Sequence, residues 1–166
     1  TTEDDVIPEV FNLADQTGVA IEQWVMSDSI TVRGITTAVA ISIEGGEYAI
    51  NEGAFTSEQG VVSLNDRVRV RHLSASTSST SVDTVLTIAT VNDTFTSITA
   101  GDGTLESFSF ATQESMPLLT YVTSEEIVVT GIDTLVSIWV SNGEYSINDA
   151  AFTQQAGSVL SGDRVR

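Results

Sequence analysis

The sequence predicts an all-β chain of antiparallel sandwiches in tandem, the second of them incomplete. Three observations carry this. The phrase Gly46–Thr56, Gly-Glu-Tyr-Ala-Ile-Asn-Glu-Gly-Ala-Phe-Thr, returns at Gly143–Thr153 as Gly-Glu-Tyr-Ser-Ile-Asn-Asp-Ala-Ala-Phe-Thr, an offset of 143 − 46 = 97 residues. Apolar and polar residues alternate with period two in short runs rich in Val, Ile and Thr, the mark of half-buried strands. Turn residues interrupt those runs roughly every ten residues, as in all-β sandwiches.

The repeat reaches well beyond the phrase. Aligned without a gap, positions 11–69 and 108–166 share 26 identities in 59 positions. A fixed period of this length is a whole domain rather than a solenoid unit. The organisation expected is an acidic linker over 1–10, a first repeat over 11–99, a second linker over 100–107 and a second repeat over 108–166.

Composition narrows the function. The net charge is −17, all six cations are Arg, and there is neither Lys nor Cys. Such a field repels nucleic acid and anionic membranes. Disulfides, thiolate metal sites and Lys–Asn cross-links are chemically impossible. The 41% hydrophobic content supports a packed core, and the apolar runs are too short to span a bilayer as a helix. No signal peptide opens the sequence, whose first residues read as a segment boundary.

In chain order, the acidic stretches come first. Asp5 and Glu9 align with Asp102 and Glu106 in the second linker. Carboxylates at domain junctions suit Ca²⁺, which takes six to eight oxygen ligands, so these four are the candidate calcium ligands. The plainer reading is a solvated spacer. Phe11–Asp15 reads as a short strand broken at Thr17-Gly18. Trp24 and its counterpart Tyr121 read as core or inter-domain aromatics ahead of a ligand platform. Ile30 and Val32 face inward, as do Val39, Ile41 and Ile43. After Gly45-Gly46, Tyr48 and Ile50 point in while Ala49 and Asn51 point out, and Asn51-Glu52-Gly53 turns the chain with Gly53 free to take positive φ. Phe55 caps the core. The plug Tyr48, Ile50, Phe55 is copied as Tyr145, Ile147, Phe152.

Leu64-Asn65-Asp66 forms the next turn. Val68 and Val70 then face in, with Arg67, Arg69 and Arg71 out and pairing with carboxylates or Thr on adjacent strands. His72, the one histidine, points inward or ends the strand, and neither a Ser-His-Asp triad nor a typical zinc site stands out. Residues 74–81, Ser-Ala-Ser-Thr-Ser-Ser-Thr-Ser, form a low-complexity hairpin loop. A strand over Val82–Ala89, with Val85 inward, turns at Asn92-Asp93 into Thr94–Thr99. About seven short strands per repeat give an antiparallel Greek-key sandwich, immunoglobulin-like or fibronectin-like, without the Cys–Trp–Cys signature of antibody domains.

The motifs Phe-x-x-x-x-Gln-Thr-Gly-Val-Ala (11–20), Ser-Ile-Thr-Val-x-Gly-Ile (29–35), Gly-Gly-Glu-Tyr-x-Ile-Asn-x-Gly-Ala-Phe-Thr (45–56) and Asp-x-Val-x-Val-Arg (66–71) resemble one recurring unit. They are similar to tandem immunoglobulin-like repeats of large secreted or surface-anchored bacterial proteins. The resemblance covers nearly the whole chain and implies a building block of a stalk, adhesin or fibre, with no catalytic residues to carry over. Repeat 2 departs at Glu114-Ser115 and Asp149-Ala150, which bears on turn geometry.

Repeat 2 stops at the counterpart of Arg69, so the strands equivalent to Val70–Thr99 are missing. Either the chain is cut short, or a strand from another copy completes the sheet by β-augmentation and builds a filament. Trp139, on the outward face between Ile138 and Val140, is the candidate interface aromatic. The functional expectation is a non-catalytic extracellular spacer or fibre module whose partners are other repeats or other copies. The alternative is a module that binds carbohydrate or a cell-surface glycan through Trp139, Tyr121 or the Ser/Thr loops. An enzyme built on a carboxylate pair stands behind both.

Overall fold

The computed structural model describes residues 4–166. It divides into two compact units, Thr1–Ala100 and Gly101–Arg166. The chain is all-β, with no helix among the described residues and with pairing that is antiparallel throughout except at one place.

Unit 1 has nine strands: β1 (Gln16–Val19), β2 (Trp24–Met26), β3 (Ile30–Thr31), β4 (Val39–Glu44), β5 (Glu47–Ile50), β6 (Gly60–Val62), β7 (Arg67–Leu73), β8 (Ser81–Ile88) and β9 (Val91–Thr99). One sheet runs β1-β9-β8-β4-β6, with β1 parallel to β9. In the other, β7 pairs with β2, β3 and β5. Strands β2 and β3 follow one another along β7, and Ser27 bridges their gap. Its N–H donates to the Val70 carbonyl at 2.9 Å, and its Oγ accepts from the Val70 N–H at 3.0 Å. A buried backbone group therefore stays satisfied where the strand bulges.

Both sheets feed one core. Val68 and Val70 of β7 and Tyr48 of β5 meet Ile41 of β4, Val62 of β6, Leu86 and Ile88 of β8 and Phe95 of β9. Alternation explains the selection, because on each strand every second residue faces the opposite sheet. On β8 the inward set is Thr84, Leu86 and Ile88, so Val85 is half-buried on the other face. The turn between β8 and β9 falls at Ala89-Thr90, with Ala89 at φ 53°, and Asn92 pairs with Thr87 inside the ladder. Propensity pointed to Asn92-Asp93, but the register that buries Phe95 and Leu86 together moves the turn forward.

The opening strand also shifts. Residues 11–15 carry no strand; β1 begins at Gln16, and Gly18 lies within it, where the register slips between Thr17 and Val19. The segment 11–15 is tied down by side chains instead. Asp93 Oδ2 accepts the Leu13 N–H at 2.6 Å, and Asp15 Oδ1 accepts the Thr96 N–H at 2.8 Å. Residues 5–9 are not a free spacer. Glu9 N–H donates to the Arg33 carbonyl at 2.9 Å and Thr36 N–H to the Asp5 carbonyl at 2.8 Å, and Pro8 is buried. The Ser/Thr loop is anchored as well. Ser74 is buried, donates to the Ala20 carbonyl and accepts from the Gln23 N–H.

His72 completes the polar end of the core. Its Nδ1 lies 2.7 Å from Thr84 Oγ1 and its Nε2 lies 2.6 Å from Ser97 Oγ. Thr84 spends its single hydroxyl proton on the Gly45 carbonyl, so it accepts from His72 Nδ1–H. The ring is therefore the Nδ1–H tautomer, and Nε2 accepts from Ser97. Burial pushes the His72 pKa below its usual value, opposed by the Asp83 carboxylate. A depressed histidine pKa means that the unfolded chain takes up the proton first. Its contribution to stability is whole above about pH 6.5, the unfolded value, and is lost as pH falls through the lower folded value. We expect the midpoint of unit 1 to fall between pH 7.5 and 5.5 in thermal melts, and His72→Gln to flatten that slope. An unchanged slope in the variant would assign the effect to carboxylates.

Unit 2 has four short strands: β10 (Ile127–Val128), β11 (Val136–Ile138), β12 (Gly157–Val159) and β13 (Arg164–Val165). They pair β10 with β13 and β11 with β12, around a small core of Val129, Ile132, Tyr145, Val159 and Val165.

Candidate interaction face of the second unit

The repeat is one of hydrogen bonds as well as letters. Tyr48 Oη donates to the Glu58 carbonyl at 2.9 Å, and Tyr145 Oη to the Gln155 carbonyl at 2.6 Å. Asp66 accepts from Asn51 Nδ2 and from the Ser63 N–H; Asp163 accepts from Asn148 Nδ2 and the Leu160 N–H. Those two bonds hold the Asp163 carboxyl below its usual pKa, the backbone donor from Leu160 contributing most. Gln16 Nε2 reaches the Met26 carbonyl and Gln113 Nε2 the Thr123 carbonyl, each at 2.7 Å. All lie 97 residues apart.

The same scheme explains a tolerated substitution. The turn after Ile50 puts Asn51 at φ 50° and Glu52 at φ 63°, and closes with Gly53 N–H on the Ile50 carbonyl. Positive φ falls on the two central residues, as in a type I′ turn, and not on Gly53. In unit 2 Asn148 and Asp149 take φ 49° and 62°, and Ala150 N–H closes the turn. Ala150 therefore stands where Gly53 does without strain.

The plug divides in two. Tyr48 is buried and Ile50 packs against the core, and Tyr145 and Ile147 do likewise in unit 2. Phe55 does not cap the core; it lies on the outer face of β7, its ring 4.0 Å from the Arg71 guanidinium and 5.6 Å from that of Arg69. Ala49, opposite Arg69 in the ladder, is buried rather than exposed, because this layer covers it. Trp24 is also outside the core, 56% exposed, with Arg71 4.3 Å from its ring. Arg71 thus sits between two aromatics and pairs with Glu47 at 2.7 Å. In unit 2 Phe152 is exposed and Tyr121 is 98% exposed, with a hollow of about 650 Å³ beside Tyr121, Glu144 and Phe152.

On its inner side unit 2 opens a cleft of about 370 Å³ walled by Phe108, Phe110, Ile127, Val129, Ile138, Val140, Tyr145, Val159 and Val165. Shifted by 97 residues, these walls are Phe11, Leu13, Ile30, Val32, Ile41, Ile43, Tyr48, Val62 and Val68, which in unit 1 enclose Val70, Leu86, Ile88 and Phe95. Trp139 stands at the rim, 73% exposed, on the side away from the core as its alternation requires.

The candidate calcium ligands fall into turns. Asp5 Oδ1 accepts the Ile7 N–H at 3.0 Å, and Asp102 Oδ1 accepts the Thr104 N–H at 2.9 Å. Glu106 Oε2 accepts from Thr130 Oγ1 at 2.8 Å. Among the described residues no three His, Cys, Asp or Glu side chains gather in a way that could hold a metal ion. Arg71 faces out and pairs with a carboxylate on the adjacent strand as its spacing predicts; what sequence reasoning missed are the aromatics Trp24 and Phe55 beside it and the cleft walls Phe108 and Phe110. The 97-residue alignment would have found the latter, since it sets them on Phe11 and Leu13.

Searches against family models, curated proteins and solved structures returned no match to this chain.

Proposed function

We propose that the chain is a non-catalytic structural module, two consecutive immunoglobulin-like Greek-key sandwich units of an extracellular repeat protein that serves as a spacer or fibre. The observation that carries the reading is the recurrence of one hydrogen-bond scheme at a constant 97-residue offset. A chain that reproduces the same turns and the same buried Tyr in successive units is built by addition of units. The two sheets of unit 1 sharing one core, with β1 parallel to β9 along one edge, support the immunoglobulin-like assignment. A surface with a net charge of −17, without Lys or Cys, suits a secreted or surface-anchored setting.

A second reading has its own support in Trp139 and Tyr121, large aromatics that are 73% and 98% exposed. Such rings can stack on sugars. A glycan array with the full chain separates the two. The spacer reading expects no saturable binding; binding that disappears in Trp139→Ala would replace it with the carbohydrate-binding one.

A further inference from the structure

Two of the six arginines stand side by side without an acid. Arg67 and Arg69 flank the inward Val68 on β7 and share its outer face. Among the described residues neither forms an ion pair, in a chain with 23 acidic residues. Together with Ser29 and Glu52 they line a hollow of about 30 Å³. The ladder brings these four together. Ile30 pairs with Val68 from one side, which sets Ser29 beside β7, and Ile50 pairs with Val68 from the other, which brings up the turn that carries Glu52.

Unit 2 shows what such a hollow receives. The counterparts, 97 residues on, are Glu126, Asp149, Arg164 and Arg166, and there every position is joined. Arg164 Nε lies 3.4 Å from Glu126 Oε1, Arg164 Nη2 lies 3.4 Å from Asp149 Oδ2, and Arg166 Nη2 lies 2.9 Å from Asp149 Oδ1. Both sets stand on one frame, since Ile127 and Ile147 pair with Val165 as Ile30 and Ile50 pair with Val68. Where unit 2 has the Glu126 carboxylate, unit 1 has Ser29, a hydroxyl without charge. Glu52 keeps the place of Asp149 but forms an ion pair with neither guanidinium.

We infer that unit 1 carries a carboxylate-binding site formed by Arg67, Arg69 and Ser29, and that its ligand is the side-chain carboxylate of an acidic residue on another polypeptide, seated where Glu126 sits in unit 2. The forked N–H donors of guanidinium match the two oxygens of a carboxylate, and the Ser29 hydroxyl adds a further donor. The hollow takes the head of the ligand and little else. A small free carboxylate would be held there by exposed charge pairs alone, which contribute little, whereas a polypeptide adds contacts around the site. The net charge of −17 favours a partner whose surface is otherwise neutral or basic, so a second copy, equally negative, is the poorer partner. The site is independent of whether the chain is a spacer.

The test titrates the blocked tripeptide Lys-Glu-Lys into the full chain and follows the arginine Nε–H signals by NMR. We expect a saturating shift at Arg67, about fivefold or more larger than at Arg164, whose Nε is already engaged by Glu126. The tripeptide Lys-Gln-Lys should give no saturating shift. Ser29→Glu fills the seat from within, as unit 2 does, and should abolish the response while leaving the fold intact, because Ser29 is exposed. Glu52→Gln removes a competing charge and should strengthen the response. Saturation by acetate at the same concentration as by Lys-Glu-Lys would overturn the polypeptide ligand and give the site to a free carboxylate. The site itself is overturned by the absence of a saturating shift at Arg67, by equal shifts at Arg67 and Arg164, or by a response that survives Ser29→Glu.

Discussion

Replacing Phe95 with alanine is expected to destabilise unit 1 by about 3–5 kcal/mol, the usual cost of emptying a buried aromatic site. Phe95 is fully buried on β9, its ring centroid 5.0 Å from that of His72, in the cluster that joins both sheets. Its neighbours Leu86, Ile88 and Val70 are held in register by their own ladders, so the space left behind can close only in part. A large fraction of the stability of a domain of this size is at stake. The measurement is urea unfolding followed through Trp24 in a Trp139→Phe background, which gives unit 1 its own reporter because the chain has one tryptophan in each unit. Thr94→Ala, exposed on the same strand, serves as the control and should stay within about 0.5 kcal/mol. A loss below about 1 kcal/mol for Phe95→Ala would mean that this core does not hold the two sheets together.

The second large effect is expected at Gly34. Its φ is +80°, and a Cβ there would meet the Glu9 backbone nitrogen at 2.8 Å. A left-handed conformation costs an ordinary residue about 1–2 kcal/mol, before any clash. The clash is with main chain, which cannot swing aside as a long side chain would, so Gly34→Ala should cost about 2–4 kcal/mol in total. The damage has a local signature. The Glu9 N–H donates to Arg33 at 2.9 Å, and its exchange should accelerate more than that of amides in β8. Gly131, at φ +88° and with Glu106 N at 2.8 Å, repeats the geometry, so Gly131→Ala should do to unit 2 what Gly34→Ala does to unit 1. Equal exchange at Glu9 in variant and parent would remove the proposed clash.

Much of the architecture was legible in the sequence because alternation is a local signal. Val68, Val70 and His72 on β7, and Val39 and Ile41 on β4, are inward as their spacing requires. What alternation cannot fix is phase where both parities are apolar or both polar. In Val82–Ala89 the residues Val82, Val85 and Leu86 offer two phases, and the ladder with β4 and β9 decides for Leu86. The same limit misplaced the turn at 89–90, where neither Ala89 nor Thr90 is a turn residue by type. Aromatics misled for another reason. Trp24 and Phe55 have the size of core residues, but cross-strand Arg71 supplies a partner on the outer face, a long-range pairing that no local pattern carries. That Asp5 and Asp102 close turns was not legible in the acidic stretches, because a carboxylate that closes its own turn looks, in sequence, like one that awaits a cation. At the candidate face, Trp139 was legible as outward, while the cleft beneath it required comparing two units in space.

The parallel pairing of β1 with β9 has a mechanical consequence. Gln16, Thr17 and Val19 lie beside Ser97, Ile98 and Thr99, and the Ala100 N–H donates to the Val19 carbonyl at 2.8 Å. Tension entering unit 1 ahead of β1 and leaving it behind β9 pulls these two neighbours in opposite directions along their length. The bonds between them are then strained side by side in shear, and several must yield together. In an antiparallel terminal pair the same pull would open them one after another, as a zipper. The terminal strands are thus arranged as a clasp against stretching.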